Sequence, residues 1–422
     1  MGARNRPEMP YGWGRVGYSL EERLPWMNLP FEVSEYHQRI ERLRGHMAQN
    51  GLDAIVVVGN RADNSNVRYL SNFEDFYGGE SIVVVPAVGS PGFTTNAIMH
   101  GEPMHSGIQD CWIENARCAA APRTVTGDAD PVTIFDHVED FINEGGAGNG
   151  RIGIVGEFNV GQLEAFLKGR FPNATIKHAP TILYAMRAIK SPAEIAVMRK
   201  ACHLADVGLQ AVMDAVSPGV SEFDLSAEAN YAMFKAGSEH PAFAIAVAAG
   251  ARSGFKHVAP TANKVKAGDM VYVDLGGRYM GYYSDCSRQR VCGDPTPEQL
   301  RFMETQIQIV EEVMKAAKPG AVIADLAEIG IQIARDAGYE QYLYFRGHGI
   351  GCATHDLPSF APGNPKKLEE DMVFCFEPML VKKEFGNRLL GGYLVGNLRS
   401  GRAAERMPVP LVVIKPPVPP NR

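Results

Sequence analysis

Residues 257–293 read HVAPTANKVKAGDMVYVDLGGRYMGYYSDCSRQRVCG, and this stretch decides the fold of the second half of the chain. GDMVYVDLGG and MGYYSDCSRQRVCG alternate or run apolar, with glycine at the turns. That pattern predicts antiparallel strands joined by a glycine-containing turn. Asp274 lies in the first strand and Asp285 in the second. Paired in this way, both carboxylates can face one pocket. A charge inside a run such as MVYVDL is costly unless it is paired or bound to a cation. The plainer alternative is two aspartates at turn ends.

Later segments carry the same mark. RGHGIG at 346–351 holds His348 among glycines that let backbone and ring approach closely. MVFCFEPML at 372–380 holds Glu377 in mid-strand among apolar residues, where an unpaired carboxylate is costly and a ligand or cation is expected. His257 and His355 are either ordinary loop histidines or hydrogen-bond donors beside a carboxylate-rich site, able to stabilise a developing oxyanion.

Working outward, SPAE at 191–194 is a helix start, with Ser191 as N-cap, Pro192 at the first helical position and Glu194 at the third. Helical patterns also cover 295–317, capped by Thr296, and 321–338, stopped by Gly338. Helices beside a curved, mostly antiparallel sheet make an α+β domain. Before residue 181 the pattern alternates: helices over 35–47, 130–142 and 161–171, and short apolar strands over 52–59, 80–89 and 151–156. This predicts an α/β N-terminal domain over 27–180, followed by the α+β domain over 181–386. Residues 1–26 read as a disordered extension, and Met27 as an alternative start.

Composition narrows the partners. The 422 residues exceed one ordinary core of roughly 100–200 residues. A net charge of −6 gives no broad basic field, so nucleic acid is not an expected partner. No apolar run approaches the ~20 residues that span a bilayer, and the first 26 residues lack the apolar core of a secretion signal. The seven cysteines are odd in number and without a CxxC pair, which reads as reduced thiols in the cytoplasm.

Taken together, Asp–x10–Asp, GHGIG–x3–His and FEPM resemble the C-terminal "pita-bread" domain of metallohydrolases, in the branch of aminopeptidase P, prolidase and creatinase. IKSPAEIAVMRKA at 189–201 is similar to that branch's entry helix. The resemblance implies two divalent ions of the Mn²⁺ type, bridged by Asp285 and Glu377, with Asp274 on one ion and His348 on the other. It also implies a bridging water as nucleophile, Glu377 as proton shuttle, and His257 and His355 gripping the substrate or intermediate. The expected substrate is a short peptide or related amide, foremost one with proline after the scissile bond, and the expected assembly is a homodimer. NFEDFY at 72–77 is a candidate loop toward a partner subunit's site. Creatinase works without metal, and the aspartates kept here argue against that mechanism. Lyases of dimethylsulfoniopropionate with this fold carry a further Asp where this chain has Gly276.

One expected ligand is missing. The family pattern places another Glu after FEPM, in a stretch resembling T-A-x-x-E-D-x-x-L-V-T, but residues 387–397 read NRLLGGYLVGN. This stretch can be encoded so that a one-nucleotide shift yields Thr-Ala-Cys-Leu-Glu-Asp-Ile-Trp-Leu-Val-Thr. Residues 387–422 therefore read as an aberrant tail from a shifted frame. The alternatives are a natural variant with one ligand lost, and a non-catalytic protein that binds peptide in the old cleft. The prolines of RMPVPLVVIKPPVPPNR at 406–422 carry no message on the frameshift reading.

Overall fold

The computed structural model describes residues 19–74, 79–96, 98–99, 102–103, 110–119, 132–157, 160–388, 391–394 and 405–406. Two compact units divide the chain, Met1–Met186 and Arg187–Arg422. The first is built on a six-stranded sheet. Its strands are β1 (Ala54–Asn60), β2 (Glu80–Pro86), β3 (Gly92–Thr95), β4 (Asn115–Cys118), β5 (Arg151–Val155) and β6 (Thr175–His178). They lie in the order β4-β3-β2-β1-β5-β6. β1 pairs antiparallel with β2 and parallel with β5, so the sheet is mixed. The run Ala54, Ile55, Val56, Val57 and Val58 is buried throughout, as a central strand covered on both faces requires.

Two details in this unit differ from the sequence reading. The helix expected from residue 130 begins at Ile134, because Thr133 caps it and the Asp136 side chain returns the bond to the Thr133 backbone. The expected N-terminal extension enters the fold by residue 19. Leu20–Arg23 is a capped helical turn, and the buried Arg23 guanidinium donates to the carbonyls of Cys111 and Ile113. A single arginine satisfied by remote backbone has no periodic signature, which is why composition alone did not find it. Residues 1–18 of the extension, and residues 75–77 of the candidate partner loop, lie outside the described residues.

Among its described residues, the second unit sets four α-helices against short antiparallel sheets. The helices are Pro192–Ala215, Glu222–Lys235, Pro297–Ala316 and Ile323–Asp336. Ser191 caps the first as its sequence predicts, through a reciprocal pair of bonds with Glu194, and Thr296 caps the third in the same way with Gln299. The curved antiparallel layer is divided into three parts. β7 (Ala246–Ala249), β8 (Met270–Leu275) and β9 (Cys286–Val291) form a sheet in the order β9-β8-β7. β10 (Leu343–Tyr344) is followed by β11 (Gly347–Gly349), β12 (Asp356–Ser359), β13 (Val373–Phe376) and β14 (Met379–Val381). Then come β15 (Gly386–Arg388), β16 (Gly391–Leu394) and β17 (Glu405–Arg406). These make the sheets β12-β11-β13-β16-β17 and β10-β14-β15.

Apolar packing fixes the sheets to the helices. Ala205, Leu209 and Val212 of the first helix pack with Leu225 and Ala229 of the second against Val247, Val271 and Val273. Ile309, Val313, Leu326 and Ala327 of the other two helices cluster with Phe345, Phe360, Phe374 and Phe376. Two glycines are obligatory here. A Cβ on Gly349 would fall 1.9 Å from the Leu357 carbonyl oxygen, and one on Gly347 would fall 2.5 Å from that of Cys375. Only bare backbone lets β12, β11 and β13 close around His348.

Candidate metal centre

Four of the predicted residues are buried in the second unit: Asp274, Asp285, His348 and Glu377, each less than a tenth exposed. Asp274 lies on the central strand β8, opposite Ser287 of β9 and Ala246 of β7. Asp285 comes one residue before β9, after a small hairpin that pairs Arg278 with Tyr283. The connection is therefore a hairpin of its own rather than a simple turn. His348 sits on β11, paired with Cys375 of β13.

Glu377 corrects the sequence reading, which put it in mid-strand. It occupies the break between β13 and β14. Pro378 has no N–H to give a ladder, so the strand leaves one sheet and enters another there. The Glu377 N–H is satisfied by the Arg346 carbonyl at 3.0 Å. The break frees the carboxylate from the regular alternation of the strand.

These elements bring three groups together. His348 Nε2 lies 3.5 Å from Asp285 Oδ2 and 3.6 Å from Glu377 Oε1. The other ring nitrogen, Nδ1, is 2.9 Å from the Gly349 carbonyl, an acceptor, so Nδ1 carries the proton and donates. That tautomer leaves the Nε2 lone pair facing the carboxylates. Burial opposes charging of this ring, but in the charged form Nε2–H donates to Asp285, and that bond with the charges of Asp285 and Glu377 raises the pKa above the usual imidazole value. Asp285 Oδ1 is buried and has no hydrogen-bond partner. Its backbone carbonyl accepts from the Cys375 thiol at 3.7 Å, which ties the start of β9 to β13.

His355 stacks on His348, with ring centroids 4.0 Å apart. Burial, then the neighbouring His348, lower its pKa, and the charge of His257 acts in the same direction. His257 is exposed, on the segment between β7 and β8. The structure thus groups His348, Asp285 and Glu377, sets His355 against them and brings His257 within electrostatic reach of His355. Asp274 is placed by strand register, between Ser287 and Ala246 on the neighbouring strands. Among the described residues no set of three or more His, Cys, Asp and Glu side chains is gathered tightly enough to hold a metal ion as it stands.

Strand register also locates the residue at which the resemblance leads one to expect a further Glu. The shifted string puts it at residue 391, and Gly391 of β16 pairs with Phe376, next to Glu377. Gly276, where the lyases carry Asp, leaves no room for any side chain: a Cβ would fall 1.9 Å from the Ser284 carbonyl oxygen. Sequence reasoning missed a buried charge cluster behind the site. Arg187 Nε and Nη2 donate to Asp356 Oδ1 at 3.1 and 2.5 Å, and Asp356 directly follows His355. A signal existed only in part, because Asp356 adjoins a singled-out histidine but its partner is 169 residues away.

Comparison with known proteins agrees with this architecture. The model of metallopeptidase family M24 matches residues 196–398, and that of the creatinase/prolidase N-terminal domain matches residues 39–189. The Xaa-Pro dipeptidase of Pyrococcus furiosus is 31% identical over 236 residues, covering 56% of this chain and 68% of that protein. The Xaa-Pro dipeptidase of Pyrococcus horikoshii is 27% identical over 351 residues, 83% of this chain and 92% of that one. Among solved structures, the Pyrococcus horikoshii prolidase superposes with a TM-score of 0.73 at 24% identity, covering 88% of this chain and 97% of that one. An Xaa-Pro dipeptidase from Bacillus anthracis gives 0.75 at 23%, with the same coverage. At that identity the superpositions establish the fold: an α/β creatinase-type N-terminal domain followed by a pita-bread domain. The chain belongs to metallopeptidase family M24, in the branch that carries a creatinase/prolidase N-terminal domain.

Proposed function

We propose that the chain is a divalent-metal-dependent hydrolase of short Xaa-Pro peptides, with Asp274, Asp285, His348 and Glu377 as metal ligands. The observation that carries this reading is the approach of His348 Nε2 to Asp285 and Glu377, three groups from separate segments of the chain. Carboxylates with one imidazole suit Mn²⁺ or a similar hard ion, and the unpartnered Asp285 Oδ1 fits a ligand role. A bound ion would act as a Lewis acid and lower the pKa of a bound water. The chain's own residues do the rest. Glu377 accepts a proton from the attacking water and returns one to the leaving amine. His355 and His257 donate hydrogen bonds toward the substrate carbonyl as negative charge develops on it.

The donors present fit one ion better than two, because Gly391 offers no carboxylate where the family pattern has Glu. We read residues 387–422 as the product of a shifted frame, with domains at 27–180 and 181–386 before it. The strands β15 to β17 do not discriminate, since a backbone ladder forms whatever the side chains. On this reading the protein works in the cytoplasm as a homodimer that takes Mn²⁺. Its seven cysteines, all buried and unbridged, are consistent with a reducing compartment, and among the described residues no helix is long and apolar enough to cross a membrane.

Gly391 also favours a second reading, a metal-poor protein that binds peptide without cleaving it. Turnover separates the two. Chelator-stripped protein reloaded with Mn²⁺ should hydrolyse Ala-Pro faster than Ala-Ala, slowly in the chain as written. Binding of Ala-Pro with no turnover, even after the shifted-frame C-terminus is restored, would favour the binder. Cleavage of small non-peptide amides alone would point to a creatinase-like substrate.

A further inference from the structure

The segment that carries His257 is organised around one carboxylate. Glu222, the first residue of the Glu222–Lys235 helix, is fully buried. Its Oε1 accepts from Ala249 N at 3.1 Å, where β7 ends, and from Asn263 Nδ2 at 3.1 Å, near where the chain returns. Its Oε2 accepts from Thr261 N at 2.9 Å and Thr261 Oγ1 at 2.8 Å. Arg252 Nε, from inside the same segment, lies 3.0 and 3.1 Å from the two oxygens. The Arg252 guanidinium then reaches on to the Ala259 carbonyl at 2.8 Å.

The backbone completes the closure. Glu222 N and Phe223 N donate to the carbonyls of Asn263 and Thr261, both at 3.1 Å. Residues 250–261 therefore form a loop whose two ends and interior strut meet at a single side chain. His257 stands on that loop, exposed, and its charge is felt at His355. None of these hydrogen bonds involves a candidate ligand.

We propose that Glu222 is a positioning residue for His257: it fixes the loop of residues 250–261 so that the imidazole is held toward the reacting carbonyl. The loop claim rests on geometry alone, and its catalytic consequence rests on the hydrolase reading above. A carboxylate is required because every neighbour is a donor. In Glu222→Gln one oxygen becomes an NH₂ that meets other N–H groups, so at least one end of the loop is released.

Hydrogen–deuterium exchange on the whole chain tests the loop. Glu222→Gln should raise exchange in peptides spanning 250–263 about ten-fold, with peptides from 297–316 and 323–336 unchanged. Uniform acceleration throughout the second unit, or an unchanged loop, would overturn the proposal. Arg252→Met removes only the strut and should act in the same direction more weakly; it decides the matter if Glu222→Gln does not fold.

Ala-Pro hydrolysis tests the link to His257. Glu222→Gln should lower kcat about ten-fold with KM nearly constant. In a His257→Ala background the same change should cost nothing further, whereas multiplying losses would contradict positioning through His257. Absence of turnover in the unsubstituted protein would count against the Xaa-Pro reading, while the exchange result would still decide the loop.

Discussion

Arg187, Lys190 and Asp356 place three charges where water does not reach, each less than a tenth exposed. Burial lowers the Lys190 pKa against the opposing pull of Asp356 and then Glu194. Glu194, in turn, accepts from the Tyr282 hydroxyl at 2.9 Å. Asp356 directly follows His355 in the chain, so its pairing with Arg187 anchors the backbone next to that histidine. Removing one partner leaves a buried carboxylate uncompensated. Arg187→Met should therefore cost about 3–5 kcal/mol of stability, read from the midpoint of urea unfolding. A shift too small to measure would mean that the pair is dispensable.

The candidate ligands were legible at this scale because each is a charge in a run that otherwise reads as core: Asp274 in MVYVDL, Glu377 in MVFCFEP, His348 among glycines. Glu222 and Arg187 were not. Glu222 reads as an ordinary first-turn acid of a helix, and its burial depends on donors 27 to 41 residues away. Pattern reading senses local cost, and these residues are satisfied by partners that no local window contains.

At the scale of elements, the helix starts were legible because caps are local: Ser191 and Thr296 need only the next three residues. The division of the antiparallel layer was not, since it depends on Pro378 and on close strand approach at Gly347 and Gly349. The Pro192–Ala215 helix also carries Asp206 on its partly covered face. Burial raises the pKa of Asp206 to about 7, against the opposing charge of Arg288. A carboxyl whose folded pKa is raised binds more protons in the native state, so stability falls as pH climbs between the unfolded value and about 7. Asp206→Asn should remove this loss. Urea midpoints of the two proteins should agree near pH 4 and separate by pH 8, with the asparagine form more stable. Equal midpoints at both pH values would contradict the assignment.

For the whole molecule, two domains were legible in the alternation of strand and helix before residue 181 and its loss afterwards. On the proposed reading the chain leaves the family pattern from residue 387, and one of the positions affected, Gly391, lies beside the site. Backbone pairing of Gly391 with Phe376 keeps the sheet intact, while on the proposed reading the side chain that would complete a second ion's shell is absent. Fold and full metal loading can therefore separate in this chain.

Mn²⁺ binding to the metal-free protein, followed by calorimetry, tests the central claim most directly. The chain as written should hold one ion, Asp285→Asn should weaken it on the order of 100-fold, and restoring the shifted-frame C-terminus from residue 387 should add a second ion together with faster Ala-Pro turnover. Binding that ignores Asp285→Asn, or no binding in either form of the C-terminus, would contradict the account.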